Sequence, residues 1–263
     1  MQSTKQEAAT EEPYIFTTLR WDPTLSDLAA NSIAISARVC PFYMLEYHWA
    51  RLQAASQTSS QKAASLADLF DCLSQEVQLW HIQHPDKEPE ALRIKHRIYA
   101  DGRTMTEITP TTRVALNTLF PETLDPSLPQ PVSWAVTLDT TPTMPTACTS
   151  HKTSDRSHYD RARASADILS YTEAREVLLY NPRGEVLDGS ITTPYFYRDR
   201  QWVTPAEACG GQQGTTRRWA LDKGLCVEGV VRVSELRDSE VVWFSNGVRG
   251  FFQARVEGHG SDG

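Results

Sequence analysis

Hydrophobic positions in the first half of the chain change from strand spacing to helix spacing and back. The aromatic and β-branched run YIFTTLRW over residues 14–21 predicts a strand. Apolar residues then recur three and four positions apart, which predicts helices from about residue 46 and over about residues 65–83. Residues 91–110 predict two strands joined by a turn at Asp101-Gly102.

The second half continues this mixture with more strands. Residues 134–139 (WAVTLD) predict a strand, and residues 157–171 predict a helix. The glycine-rich run GGQQG precedes another helix. Strand-like runs occupy residues 176–205, 230–236, 240–246 and 251–256. Strands and helices mixed in two lobes predict an α+β fold.

A proline-rich stretch separates the two halves. Four prolines lie between Phe120 and Val132, spaced mostly by polar residues, which favours a linker. We therefore predict a disordered tail over residues 1–12, a smaller N-terminal α+β domain over residues 13–130 and a larger C-terminal domain over residues 131–263.

Charge and cysteine usage narrow the class of protein. The 263 residues include 26 basic and 33 acidic ones, a net charge of −7 at pH 7. This excess of acid disfavours a general affinity for nucleic acid or anionic membranes, and no apolar run is long enough to span a membrane. Five scattered cysteines without CxxC pairs favour a reducing, cytoplasmic compartment over a disulfide framework or a zinc site. We expect no metal.

Two segments carry candidate chemistry. In GGQQGTTRR, a glycine loop precedes Thr215 and Thr216 at a helix start, where free backbone N–H groups form an anion site; an ordinary helix cap is the alternative. In HKTSDRSHYDRARASA, Lys152 lies between a strand-like stretch and a helix. Partial burial there would lower its pKa and make a nucleophilic amine, whereas most lysines are solvated surface residues.

Two turns beside strands leave a similar choice. Asp188 in VLDGSITTP either meets a cationic ring nitrogen or caps a turn. Asn246 in FSNGVRGFF either points into a pocket or belongs to a tight turn in which Gly247 takes a positive φ. Residue type alone favours the turn in both cases.

Seven short motifs occur in an order that resembles the class IV, or fold type IV, pyridoxal-phosphate enzymes. They are FTTLR, HWARLQAAS, HKTSDRSHYDRAR, GEVLDGS, WVTP, GTTRR and SNGVRGF. The resemblance covers about residues 14–256 and implies the two-lobe architecture of D-amino-acid and branched-chain aminotransferases. It also implies pyridoxal 5'-phosphate as cofactor and a homodimer whose active site is walled by both subunits.

The resemblance implies roles for the matching positions. Lys152 matches the catalytic lysine that binds the cofactor aldehyde covalently. Arg51 matches an arginine that binds the cofactor phosphate. Thr215 and Thr216 match the pair whose backbone N–H groups hold the same phosphate, and Gly247 falls at a further phosphate contact.

Two positions depart from the family pattern. Asp188 stands where the family usually has a glutamate facing the pyridine nitrogen, and it is one methylene shorter. Its charge still suits the role, because an acid partner keeps the ring nitrogen protonated. Thr193-Pro194 stands where the family commonly has an asparagine and an aliphatic residue.

Three details resemble the 4-amino-4-deoxychorismate lyases of this family: Thr18 in FTT, Asn246 in SNGVRG, and the spacing of Lys152 and Arg156. They imply conversion of 4-amino-4-deoxychorismate into p-aminobenzoate and pyruvate for folate biosynthesis. Thr18 and Asn246 would bind this substrate. Because it carries two carboxylates, a basic side chain should line the pocket, and the candidates are Arg20, Arg97 and Arg249.

Two alternatives stay open. One is a class IV aminotransferase acting on branched-chain or D-amino acids. The other is a cofactor-free binding protein descended from such enzymes, which the departures at Asp188 and Thr193-Pro194 favour.

Overall fold

The computed structural model describes residues 12–31, 39–125 and 134–258. The predicted tail, apart from Glu12, and the predicted boundary near residue 130 lie outside these ranges. The first half contains β1 (Tyr14–Trp21), α1 (Leu45–Gln57), α2 (Leu66–Gln83), β2 (Ala91–Tyr99), β3 (Thr104–Thr111) and α3 (Leu116–Leu119). The second half contains β4 (Trp134–Leu138), α4 (Ala147–Ser150), α5 (Ser157–Ser165), β5 (Arg175–Tyr180), β6 (Val186–Gly189), β7 (Thr193–Arg198), β8 (Gln201–Pro205), α6 (Thr215–Asp222), β9 (Val227–Gly229), β10 (Val241–Asn246) and β11 (Gly250–Val256).

The first half is a three-stranded sheet covered by two helices. Strands β1, β2 and β3 pair antiparallel in that order. The inward side chains of Leu19 on β1 and Ile94 on β2 are fully buried against Leu52 of α1 and Leu73 of α2. Apolar side chains at alternate strand positions and at helical spacing therefore meet in one core.

The second half is built on an eight-stranded sheet in the order β6-β5-β4-β11-β10-β7-β8-β9. Strand β4 lies parallel to both β5 and β11, whereas β10 lies antiparallel to β11 and β7. Val136, Leu178, Phe196 and Phe244 from four of these strands share a buried cluster. The mixture of strands and helices confirms the predicted α+β class.

The two halves are joined by shared packing and by backbone hydrogen bonds. A third cluster combines Tyr43, just before α1, with Trp219 of α6 and Phe251 of β11. Strand β1 also reaches the segment after α4: the Phe16 N–H donates to the Lys152 carbonyl at 2.9 Å, and the Ser154 N–H donates to the Tyr14 carbonyl at 2.8 Å. The backbone on either side of Lys152 is therefore fixed by the first strand of the chain.

Two predicted elements differ from the structure. The helix predicted over residues 157–171 ends at Ser165, because Asp167 takes a left-handed conformation (φ 50°) and the Ile168 N–H returns to the Arg163 carbonyl. The strand predicted over residues 230–236 is wrong. Its middle, Val233–Glu235, is a short 3-10 helix, and the Glu235 carboxylate accepts from the Arg232 N–H.

The five cysteines are all free thiols. Among the residues described, no helix combines the length and the apolar character that crossing a bilayer requires.

Candidate active site

A cavity of about 580 Å³ lies where the first sheet faces the second half of the chain. Strands β1, β2 and β3 supply one wall, and α1 contributes Arg51. The opposite wall comes from the segment around Lys152, the loop after β6, the start of α6 and the turn between β10 and β11. Eight of the predicted site residues line it, namely Thr18, Arg51, Lys152, Asp188, Thr215, Asn246, Gly247 and Arg249.

Lys152 extends into this cavity from the segment that β1 fixes. Its Nζ lies 3.5 Å from the Gln212 side-chain oxygen and 5.1 Å from the ring centre of Phe16. Burial lowers the pKa of Lys152 well below its ordinary value, and the nearby cations Arg156 and Arg51 lower it further. The cavity therefore favours the neutral, nucleophilic form of this amine, as the hypothesis for this segment requires.

Asp188 lies on β6, with its carboxylate buried beneath the cavity. Burial raises its pKa to about 7, opposed by a hydrogen bond from the Tyr159 hydroxyl, which donates to Oδ2 at 3.1 Å. Asp188 Oδ1 also accepts from the Gly189 N–H at 3.0 Å. Asp188 thus contributes to a turn, and it also presents an acid to the cavity.

The start of α6 is open toward the cavity. Its N-cap is Gly214, which supplies no side-chain hydrogen bond to the first turn, and a Cβ there would lie 2.6 Å from the Thr193 hydroxyl. Thr215 lines the cavity. The Thr216 side chain points elsewhere, because its hydroxyl accepts a hydrogen bond of 2.7 Å from Ser245. Uncapped N–H groups at a helix start are suited to an anion.

Arg51 faces the same region from α1. Its Nη2 donates to the Thr17 hydroxyl at 2.6 Å. Its buried Nε has no hydrogen-bond partner within the described ranges. Burial lowers the pKa of Arg51 to about 10, which still leaves it cationic at neutral pH. A buried cation with an unused donor is suited to an anionic ligand.

The turn after β10 places Asn246 and Gly247 at the cavity. Asn246 Oδ1 accepts from the N–H groups of Val248 and Arg249 at 3.0 and 2.8 Å, so this side chain shapes the turn as well as lining the cavity. The positive φ predicted for Gly247 occurs instead at Gly250 (φ 73°). Gly247 is required by close packing, since a Cβ would lie 3.0 Å from the Thr18 carbonyl.

Arg20 does not reach the cavity, and its prediction as a substrate ligand is corrected. Its side chain is 1% exposed and forms an ion pair of 2.8 Å with Asp22, which is 0% exposed. It also donates to the Thr112 carbonyl at 3.0 Å. Arg97 is not part of the lining either, and it forms an ion pair of 3.2 Å with Glu107, whose side chain does line the cavity. Of the three basic candidates, Arg249 lines the cavity.

Several cavity residues were missed in the sequence, and Arg156 was noted there only for its spacing from Lys152. Arg93 and Lys95 alternate along β2, so both side chains project from one face of the sheet toward the cavity. Arg156 donates to the Ser190 carbonyl at 2.8 Å, and its guanidinium lies 4.6 Å from the ring centre of Tyr159. The alternation of charged and apolar residues on β2 was visible in the sequence as RIK. Which face of the strand meets the cavity, however, depends on which face the helices cover.

Glu176 on β5 organises the loop after β6, and no motif marks it. Its buried carboxylate accepts from the N–H groups of Ser190 (3.0 Å) and Ile191 (3.2 Å) and from the Thr192 hydroxyl (2.6 Å). These three residues line the cavity just after Asp188. Glu176 therefore stabilises one wall of the site from behind.

Comparisons with known proteins agree with this geometry. The family model for class IV amino-transferases matches residues 15–256. An aminodeoxychorismate lyase from Saccharomyces cerevisiae is 30% identical over 141 residues, which are 48% of this chain and 38% of that protein. A Schizosaccharomyces pombe protein provisionally given the same name is 33% identical over 102 residues, 38% of this chain and 44% of that protein. The matched regions thus span less than half of either relative.

Solved structures extend the comparison to nearly the whole chain. A protein from Mesorhizobium loti, provisionally described as an amino-acid aminotransferase, superposes with a TM-score of 0.66. The match covers 93% of this chain and 100% of that chain at 23% sequence identity. At this identity the likeness concerns the fold.

Proposed function

The chain belongs to the class IV aminotransferase family, and we propose that within it the protein is a lyase that converts 4-amino-4-deoxychorismate into p-aminobenzoate and pyruvate, using pyridoxal 5'-phosphate. Membership confirms the family resemblance of the seven motifs and the fold type IV architecture that they imply. The names of the two yeast relatives support the lyase activity.

The residues present fit pyridoxal 5'-phosphate. The unused Nε of Arg51 and the uncapped start of α6 are suited to a phosphate. The lowered pKa of Lys152 suits an amine that reacts with the aldehyde. Asp188, whose pKa burial raises to about 7, suits a protonated ring nitrogen, because that cation would favour the carboxylate form. When bound, the cofactor supplies an electron sink for the pair released at the substrate carbon.

Each protein group then has a defined task. Lys152 Nζ takes the proton from the substrate carbon that carries the amino group and returns a proton to the departing enolpyruvate. Its lowered pKa favours the unprotonated form that a base requires. Asp188 supplies the negative charge opposite the ring nitrogen, and Tyr159 orients that carboxylate. Thr18 and Asn246 hydrogen-bond the substrate.

The charge of the cavity is the observation that carries the choice of substrate. The protein as a whole is acidic, with a net charge of −7. Acidic side chains in the cavity lining are limited, among the described residues, to Glu107 and Asp188. Apart from Lys152, the cationic side chains in the lining are Arg51, Arg93, Lys95, Arg156 and Arg249. This local excess of positive charge suits a ligand set made of one phosphate and two carboxylates.

Arg249 is the cation that we assign to a substrate carboxylate. It donates to the Tyr171 carbonyl at 2.8 Å and lies over the Trp134 ring, and it has no acidic partner within ion-pair distance in the described part of the chain. Arg249→Gln is expected to raise KM for 4-amino-4-deoxychorismate about 10–100-fold with a smaller change in kcat, since a hydrogen bond to a charged group contributes about 1.5–3 kcal/mol. Steady-state kinetics measure this effect. Arg255→Gln, which changes an exposed arginine, is the matched control, and equal KM values for the two variants would contradict the assignment.

Asp188→Asn is expected to lower kcat about 10–100-fold, because the amide keeps the shape but loses the charge opposite the ring nitrogen. Cofactor absorbance per chain should be retained, since Lys152 and Arg51 are unchanged. Asp238→Asn, at an exposed carboxylate, serves as the control. An unchanged kcat in Asp188→Asn would show that this acid has no part in the reaction.

The proposed reaction is tested by mixing the purified protein with enzymatically made 4-amino-4-deoxychorismate and following p-aminobenzoate by fluorescence. Formation of p-aminobenzoate and pyruvate in equal amounts supports the lyase. Conversion of the bound cofactor to its amine form by alanine or glutamate, without p-aminobenzoate from the lyase substrate, would favour an aminotransferase. Protein that stays colourless with added pyridoxal 5'-phosphate would favour a binding protein without cofactor.

The assembly and location are part of the same proposal. We propose a homodimer, as the resemblance implies, and light scattering should give twice the chain mass of 29.5 kDa. A monomer mass would contradict it. The five free thiols support a reducing compartment such as the cytoplasm.

A further inference from the structure

Behind Arg51, two buried side chains form a hydrogen-bonded chain that the proposed reaction does not use. Thr17 and His48 are both 0% exposed. Arg51 Nη2 donates to the Thr17 hydroxyl at 2.6 Å, and the same hydroxyl lies 2.6 Å from His48 Nδ1. Thr17 is on β1, whereas His48 and Arg51 lie one turn apart on α1.

The direction of each hydrogen bond follows from the chemistry of the groups. A guanidinium only donates, so the Thr17 oxygen accepts from Arg51 and its single proton is left for His48 Nδ1. His48 Nδ1 must then accept, which places the imidazole proton on Nε2. Burial and the cations Arg51 and Lys152 lower the pKa of His48 well below its ordinary value, in agreement with a neutral ring.

The far edge of His48 contacts another part of the anion site. A Cβ on Gly247 would lie 2.6 Å from His48 Cε1 and 2.8 Å from Nε2. His48 Nε2 is buried and has no hydrogen-bond partner among the described residues. The imidazole therefore packs between Thr17, which holds Arg51, and the turn that carries Gly247.

We propose that Thr17 and His48 are positioning residues that hold the Arg51 guanidinium and the Gly247 turn around one phosphate group. An arginine side chain has many rotamers, and fixing Nη2 on Thr17 leaves Nε as a free donor while lowering the entropic cost of binding an anion. Because Arg51 donates to Thr17 and Thr17 donates to His48, the donors and acceptors of this chain have one arrangement. This inference rests on the proposed cofactor.

The experiment compares two ligands that differ by the phosphate. The full chain, stripped of cofactor, is titrated by absorbance with pyridoxal 5'-phosphate and with pyridoxal, the same aldehyde without phosphate. Thr17→Val keeps the shape of the side chain and removes the hydroxyl. We expect it to bind pyridoxal 5'-phosphate about tenfold more weakly, as for a lost hydrogen bond to a charged group, with pyridoxal affinity unchanged. Thr17→Ser should retain the affinity of the unaltered protein for both ligands.

A second pair of variants tests the same chain from His48. In His48→Asn the side-chain oxygen can accept from the Thr17 hydroxyl in place of Nδ1. This variant should therefore keep more of the preference for pyridoxal 5'-phosphate over pyridoxal than His48→Leu does. Equal weakening of both ligands in Thr17→Val and His48→Leu, or no weakening of either, would overturn the positioning role. If Thr17→Val does not fold, the comparison of His48→Asn with His48→Leu tests the positioning role.

The unaltered protein separates this inference from the proposed function. If it binds pyridoxal 5'-phosphate no better than pyridoxal, the cofactor assignment itself is wrong. If it prefers the phosphorylated form and the variants keep that preference, only the role of Thr17 and His48 is wrong.

Discussion

Lys152→Ala is expected to lower the rate of p-aminobenzoate formation by about 10⁴-fold, the upper range for loss of a positioned general acid–base group. In the proposed reaction this amine is the base at the reacting carbon, and its lowered pKa suits that role. Lys95, the other lysine in the lining, projects from β2 on the opposite wall. The fold should persist, since the backbone hydrogen bonds of residues 152–154 to β1 do not involve the side chain. Turnover and circular dichroism measure the two effects.

The matched control is Lys62→Ala, which removes an exposed lysine and should leave turnover unchanged. Borohydride reduction of the cofactor-bound protein, followed by peptide mapping, should place the label on Lys152. A label on another side chain, or turnover by Lys152→Ala close to that of the unaltered protein, would contradict both the cofactor attachment and the proposed lyase.

Arg20→Ala is expected to destabilise the protein by about 3–5 kcal/mol, because it leaves the carboxylate of Asp22 buried without its cation. This is a large part of the roughly 5–15 kcal/mol by which domains are ordinarily stable. The effect should appear as a lower urea midpoint with little change in the slope. Arg218→Ala, at an exposed arginine, should change stability by less than about 0.5 kcal/mol.

A second substitution isolates the cause. In Arg20→Ala combined with Asp22→Asn, the buried charge is gone while the amide oxygen can still accept from the Thr24 N–H and hydroxyl, as Asp22 does at 3.0 and 2.6 Å. Part of the lost stability should return. A raised KM in Arg20→Ala with unchanged stability would contradict the structural role and restore Arg20 as a substrate ligand.

The contrast between Arg20 and Arg249 shows where prediction from sequence ends. Both are arginines within motifs of the family, in FTTLR and SNGVRGF, so the motifs alone do not separate their roles. Their roles depend on which acid lies near: Arg20 has Asp22 two residues away on the same side, whereas Arg249 meets a carbonyl and a ring from distant segments. Local sequence suggested neither role. The ion pair of Arg20 depends on the bend after β1, and the contacts of Arg249 depend on tertiary packing.

Elements with strong local patterns were predicted well. The strand over residues 14–21, the helices near 46 and over 65–83, and the hairpin at Asp101-Gly102 all occur with bounds shifted by a residue or two. In these elements the spacing of the apolar residues places them on the face that is buried in the structure. The run over residues 230–236 misled because its valines are typical of a strand, whereas its pairing within the described ranges is limited to an isolated bridge between Arg232 and Glu185. Glu235 caps the following residues into a tight turn.

The hydrogen bonds between β1 and the segment around Lys152 also bear on how the protein matures. Tyr14 and Ser154 are joined across 140 positions of the chain, so closing this contact costs more entropy than forming α1 or α2. Such distant pairings form late relative to local helices. The amine of Lys152 therefore reaches its final environment only after most of the polypeptide has been organised. If the proposed cofactor binds there, its absorbance should appear only at the completion of refolding.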